Sequence, residues 1–249
     1  MIKPINVLPG FDLWPGLLGL EVQHGLAREV QAAFEAAPPA HYATAQGKAM
    51  SVAMTSFGPL GWTSDKTGYR YADRHPGTGQ PWPAMPQALL DLWADLGDPE
   101  TPPDSGLINL YRDSARMGLH QDRDEADPRF PVLSISLGDT AVFRIGGTSR
   151  RDPTRSLKLS SGDVCRLSGP ARLAFHGVDR ILPGSSALTP GGGRINITLR
   201  RAMPPPCGAG VARRATEGGV IGRSPALRSS ALKLPPPIAA RSPPPQGEA

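Results

Sequence analysis

The stretch PVLSISLGDTAVFRIGG, residues 131–147, decides the fold. Two short runs rich in β-branched and apolar residues flank a Gly138-Asp139 break, the pattern of two strands joined by a turn. Similar segments follow: RSLKLSSGDVCRLSG (155–169), RLAFHGV (172–178) and RINITLRR (194–201). LINLY (107–111) precedes them. Short strands broken by Gly, Asp and Pro predict an antiparallel barrel or jelly roll over residues 109–202. Residues 1–108 mix helix and loop signals. Leu26, Val30 and Phe34 recur at helical spacing, and so do Leu89, Leu92, Trp93 and Leu96, with Gly97 as a stop. Trp93 reads as core. The fold class is therefore mainly β (α+β), with helices ahead of a jelly-roll core.

Composition sets limits. A chain of 249 residues buries a sizeable core. No apolar run approaches the length of a membrane span, and the N-terminus lacks a secretory pattern, so the expected location is cytoplasmic. Cys165 and Cys207 are the only cysteines, which argues against a disulfide framework, a thiolate zinc site or cysteine catalysis. The net charge is +5, but residues 203–249 carry six Lys/Arg against two Glu. Residues 1–202 thus hold 21 basic against 20 acidic side chains, and the basic excess lies in the tail. That tail holds ten prolines and no aromatic residue, and it reads as disordered.

The chemistry sits just upstream of the deciding stretch, in LHQDRDEADPRF (119–130). In extended chain His120 and Asp122 share a face. Five histidines exist, at 24, 41, 75, 120 and 176, and His176 in AFHGV is the natural third ligand. Two histidines and a carboxylate make the facial triad of non-haem Fe(II) oxygenases. His-x-Asp alone reads more readily as a plain hydrogen-bonded pair. The strand RINITLR adds weight. Arg194, Asn196, Thr198 and Arg200 take one face and Ile195, Ile197 and Leu199 the other. Two guanidiniums on one strand face call for an anion between them, and a small dicarboxylate suits their planar forks. Asn109 and Tyr111, also two apart, could bond the same anion.

With these residues assembled, the chain resembles the AlkB family of Fe(II)/2-oxoglutarate dioxygenases that repair alkylated nucleic acid, near the bacterial founding type. The likeness covers about residues 50–202, on SVAMTSFGPLGWTSDKTGYRYA, PWPAMPQ, LINLY, LHQDRDE, SISLGDTAVFRIGG, FHGV and RINITLR. It implies a double-stranded β-helix core at 109–202, an N-terminal region with a nucleotide-recognition lid at 1–108, and a tail at 203–249 outside the family pattern. It implies His120, Asp122 and His176 as iron ligands, and Asn109, Tyr111, Arg194, Asn196 and Arg200 as the 2-oxoglutarate clamp. Trp62 and Tyr69 would frame the damaged base, Met54 would line its pocket, Asp124 would meet its exocyclic amine, and Arg150 would lie near the substrate. Glu125 and Asp127 read as surface charge or caps. Leu110, Leu167 and Ile195 depart from the founding pattern.

The implied reaction uses Fe(II), 2-oxoglutarate and O₂ to dealkylate bases of the 1-methyladenine and 3-methylcytosine type, releasing an aldehyde, succinate and CO₂. The expected partner is alkylated DNA, single-stranded or with a flipped base, or RNA; the expected state is a monomer, with no membrane partner. Two other classes compete: a 2-oxoglutarate dioxygenase acting on a non-nucleic-acid substrate, and a non-catalytic nucleic-acid-binding module with a degenerate site.

Overall fold

The computed structural model describes residues 3–44, 47–65 and 68–203. Most of the proline-rich tail, 204–249, with Cys207 and the expectation of disorder, lies outside them. In chain order the elements are β1 (Ile5–Leu8), β2 (Phe11–Trp14), α1 (Leu20–Ala36), β3 (Ala53–Phe57), β4 (Gly61–Asp65), β5 (Gly68–Ala72) and α2 (Gln87–Leu96). Then come β6 (Ser105–Tyr111), β7 (Met117–His120), β8 (Val132–Gly138), β9 (Thr140–Ile145), β10 (Arg155–Leu159), β11 (Val164–Leu167), β12 (His176–Leu182) and β13 (Arg194–Arg200).

Two antiparallel sheets face each other. The larger has seven strands in the order β1-β2-β11-β8-β13-β6-β3, and the smaller has four, β10-β9-β12-β7. From β6 onward the chain passes back and forth between them, the double-stranded β-helix the sequence predicts. The hairpin β4–β5 forms a separate two-stranded sheet.

Period-2 alternation explains the layering. Leu133, Ile135 and Leu137 of β8 and Ile195, Ile197 and Leu199 of β13 point outward from the larger sheet into a cluster with Leu26, Val30 and Ala33 of α1 and Leu89, Trp93 and Leu96 of α2. Each such buried aliphatic side chain contributes about 1.5–3 kcal/mol. The opposite faces look inward. Val132, Phe143, Ile145, Leu159, Leu167, Val178 and Ile181 fill the space between the sheets. Polar Ser134, Ser136, Asn196 and Arg194 share that inner face and bond one another: Asn196 Nδ2 donates to Ser134 Oγ at 2.7 Å and Arg194 Nη2 to Ser136 Oγ at 2.8 Å. A polar stripe therefore lines an otherwise apolar interior.

The tight β8–β9 connection needs glycine at Gly138. Its φ is +81°, and an added Cβ would stand 2.5 Å from the Gly193 carbonyl.

Several local expectations change. The segment 155–169 breaks into two strands because the Asp163 carboxylate accepts from Ser160 N at 2.7 Å and Gly16 N at 2.8 Å, fixing a turn. RLAFHGV is extended only from His176; Gly169–Ala171 forms a 3-10 turn, and Arg172 is drawn inward by buried acceptors. Residues 1–108 supply β1, β2 and β3 to the larger sheet as well as two helices, and β6 runs across the 108/109 division.

Candidate active site

His120 ends β7 and His176 opens β12, and the two are direct cross-strand partners. Asp122 follows two residues after His120. One ligand atom from each of the three lies within 4.8 Å of the others. His120 Nδ1 bonds the Gly118 carbonyl at 3.0 Å and His176 Nδ1 bonds the Ala174 carbonyl at 2.9 Å. A carbonyl only accepts, so Nδ1 carries a proton in both rings, and Nε2 is the nitrogen left to offer a lone pair to a metal. Both Nε2 atoms face the Asp122 carboxylate, at 3.6 and 3.8 Å. Gly177 permits the close approach of β12 to β7: a Cβ there would meet Met117 O at 2.6 Å and Gly118 O at 2.9 Å.

The electrostatics suit a divalent metal. Burial alone would raise the Asp122 carboxyl, but Arg200, then His176 and His120, outweigh it and hold the carboxyl well below the usual range. Burial, then His120, pushes the His176 imidazole down to about 4, keeping it neutral. An ionised Asp122 carboxylate, a neutral His176 imidazole and the His120 ring beside them fit Fe(II) and leave positions for co-substrate and O₂.

Behind the triad lies a buried charge network. Arg200 Nη2 pairs with Asp122 Oδ2 at 2.9 Å, and Arg172 Nη1 donates to the Asp122 backbone carbonyl at 2.5 Å. Glu125 joins both arginines, at 3.0 Å to Arg172 Nη2 and 3.4 Å to Arg200 Nε. Its other partner is the Tyr71 hydroxyl, which donates to Oε1 at 2.6 Å. The Glu125 side chain is 2% exposed, so it is not surface charge.

The triad opens into a cavity of about 1540 Å³. Asn109, Ser134, Thr198 and Arg200 line it with polar groups, and Met54, Trp62, Tyr69, Asp124 and Arg150 line it as well. The Asn109 Oδ1 of that lining is buried without a hydrogen-bond partner, as a pocket built for a polar guest requires. Tyr111, Arg194 and Asn196 stand behind this wall. Tyr111 OH reaches Met117 Sδ at 3.8 Å, and Arg194 Nη1 donates to the Leu159 carbonyl at 3.0 Å.

The hairpin β4–β5 brings aromatics to the mouth. Trp62 stacks on Tyr69 with ring centroids 5.2 Å apart at 27°, and Tyr42 meets Trp62 edge-on at 5.9 Å. Trp62 Nε1 donates to Asp124 Oδ2 at 2.9 Å. Arg150 lies over the Phe175 ring, 5.5 Å from its centroid.

Comparison with known proteins places this geometry. The model of the 2OG-Fe(II) oxygenase superfamily matches residues 10–200. A Caulobacter vibrioides protein named alpha-ketoglutarate-dependent dioxygenase AlkB homolog is 76% identical over 200 residues, covering 80% of this chain and 91% of that one. The alpha-ketoglutarate-dependent dioxygenase AlkB of Escherichia coli is 42% identical over 181 residues, covering 71% and 83%. The chain belongs to the AlkB family of 2OG-Fe(II) oxygenases. The solved structure of OsALKBH1 matches with a TM-score of 0.69 at 30% identity, over 80% of this chain and 100% of that one.

As an AlkB-family Fe(II)/2-oxoglutarate dioxygenase, the protein takes iron at His120, Asp122 and His176, with 2-oxoglutarate and O₂ as co-substrates. Three residues of this AlkB-family site were missed in the sequence: half-buried Tyr71 and buried Glu125 and Arg172. Glu125 carried a signal only in retrospect, as an acid directly after Asp124. Arg172 carried none, because its segment reads as strand. No helix among the described residues is long and apolar enough to cross a membrane.

Proposed function

We propose that the protein oxidatively dealkylates N-alkylated bases of the 1-methyladenine and 3-methylcytosine type in DNA. The observation carrying this reading is the aromatic platform Trp62–Tyr69, which opens on the same cavity as the triad. When bound, Fe(II) with 2-oxoglutarate and O₂ supplies hydroxylation of the N-alkyl carbon, whose collapse frees an aldehyde while 2-oxoglutarate leaves as succinate and CO₂. The chain's own residues do the rest. Arg200 and Asn109 orient the co-substrate at the cavity wall, with Arg194, Asn196 and Tyr111 as the supporting layer. Met54 and Trp62 shape the base pocket, and Arg150 stands at its rim for a backbone phosphate.

A base inside a duplex cannot reach this depth, so the substrate is single-stranded or has its damaged base flipped out. RNA carrying the same lesion presents the same base. Methylation at these ring nitrogens adds positive charge, which the Asp124 carboxylate in the cavity lining favours. Incubation with Fe(II), 2-oxoglutarate, ascorbate and a single-stranded oligonucleotide bearing one 1-methyladenine is expected to remove one methylene mass, with stoichiometric succinate. Succinate without demethylation would refute the nucleic-acid reading and leave the dioxygenase intact.

A further inference from the structure

Gln121 stands between the ligands His120 and Asp122, and its amide reaches two other segments. Nε2 donates to the Leu173 carbonyl at 2.7 Å and to the Thr148 carbonyl at 3.3 Å. A carbonyl only accepts, so both amide protons are engaged and the amide has one orientation. Leu173 lies on the segment that leads into β12 and His176. Thr148 lies on the β9–β10 loop, residues 146–154, which carries Arg150. The two segments pair at the base of the loop: Gly146 N donates to the Phe175 carbonyl at 2.9 Å and Phe175 N to the Gly147 carbonyl at 2.8 Å. Beyond that base the loop closes on itself. Ser149 N donates to Asp152 Oδ2 at 2.9 Å and Asp152 N to the Ser149 carbonyl at 3.1 Å. An added Cβ on Gly147 would run into the Asp152 carboxylate, so the turn is tight. Arg150 rests over the Phe175 ring and lines the cavity. The ligand segment, the approach to His176 and the Arg150 loop therefore meet at one side-chain amide.

We propose that Gln121 is a positioning residue that sets the distance between Arg150 and the iron site, so that a strand phosphate held by Arg150 brings the damaged base to the metal. A turn attached only at its base can swing about that base. A second attachment at Thr148, made from the segment that carries two metal ligands, removes the swing. The charge of an exposed arginine attracts any phosphate, but only a fixed distance to the metal selects the phosphate that belongs to the reacting nucleotide. The purpose of the device rests on the proposed reading of Arg150 as a phosphate contact; the hold of Gln121 on the loop does not.

The test uses the full chain loaded with Mn(II) and 2-oxoglutarate, the manganese serving as a redox-silent occupant. Gln121→Leu keeps the bulk and removes the donors; Gln121→Glu sets an acceptor against two carbonyls. Affinity for a single-stranded oligonucleotide bearing one 1-methyladenine is measured by fluorescence anisotropy across a KCl series. One phosphate contact adds about 0.7 to the log–log salt slope on a single strand. Arg150→Ala and Gln121→Leu should each lower the slope by about that amount, and the double variant by no more. Mn(II) and 2-oxoglutarate affinities in Gln121→Leu should stay within about twofold of the parent. Arg150 and Arg151 are exposed. Trypsin cleavage after them, followed by mass spectrometry, should run at least about tenfold faster in both Gln121 variants. A parental slope in Gln121→Leu, slope losses that add in the double variant, or cleavage at the parental rate overturns the proposal. Slope loss together with weakened Mn(II) binding would make Gln121 a prop of the metal site, and that overturns it too. Failure of the phosphate reading shows elsewhere: Arg150→Ala would keep the parental slope, while faster cleavage in the Gln121 variants would still establish the hold on the loop.

Discussion

Asp122 has two roles, as metal ligand and as counter-ion to buried Arg200, and the two can be separated by substitution. Asp122→Ala leaves Arg200 buried beside Glu125 alone, and an uncompensated buried charge costs about 3–5 kcal/mol. His176→Ala removes a neutral ring and strands no charge. Both variants should lose product formation, but in EDTA the urea midpoint of Asp122→Ala should fall well below that of His176→Ala. Equal midpoints would mean that Asp122 does not neutralise Arg200 in the folded protein. Cys165 gives a pH signature. Burial pushes its thiol up to about 12 from an ordinary value of 9.0. The folded value lies above the unfolded one, so the thiol's contribution to stability is complete below pH 9 and is lost as pH rises through about 12. Replacing Cys165 by Ala should flatten the fall in stability across that window. In a Cys207→Ala background, a disulfide reagent at pH 8 should leave native Cys165 unmodified for as long as the protein stays folded.

At the scale of elements, the strand pair β7–β12 and the hairpin β4–β5 make opposite demands. The first must be close and fixed. Gly177→Ala drives a methyl into the β7 backbone and should weaken Mn(II) binding roughly tenfold or more, whereas Gly118→Ala, with open space around it, should bind as the parent does. The hairpin must yield. A base inserted between Trp62 and Tyr69 would need about 7 Å between the rings, twice a van der Waals contact, against the 5.2 Å observed. On the proposed reading, Tyr69, which is 46% exposed, would leave Trp62 when a base arrives. Trp62→Ala should cost about 1–3 kcal/mol of affinity for a methylated oligonucleotide, and Tyr69→Ala less, by fluorescence anisotropy. Much of the element layer was legible in the sequence. Alternation in 131–147 and 194–200 marked β8, β9 and β13, and helical spacing marked α1 and α2. β1 and β2 were not legible, because four residues apiece give no period to read. The triad and the polar face of β13 were legible because ligand and clamp chemistry restricts residue type. Glu125 and Tyr71 were not, because an acid in an acidic run and a tyrosine in a hairpin look the same whether solvated or buried. Only tertiary pairing with Arg172, fifty positions from Asp122, distinguishes the cases.

Across the whole molecule, charge is unevenly shared. Residues 203–249 carry most of the +5 excess. Each cation lying against a phosphate steepens the salt dependence of nucleic-acid binding. Deleting 204–249 should therefore flatten the plot of log affinity against log salt for unmethylated DNA, and leave kcat on a short methylated oligonucleotide unchanged. A fall in kcat would assign that segment a part in turnover.

The separateness of the β4–β5 sheet bears on engineering. A hairpin that shares no ladder with either large sheet invites transplantation between relatives as a way to alter the range of lesions accepted. Its anchors, however, lie some fifty residues downstream, at Asp124 and Glu125. A chimera that exchanges the hairpin alone would inherit mismatched anchors, and one that carries both segments together would keep its grip. The unit of exchange in this scaffold is discontinuous in sequence.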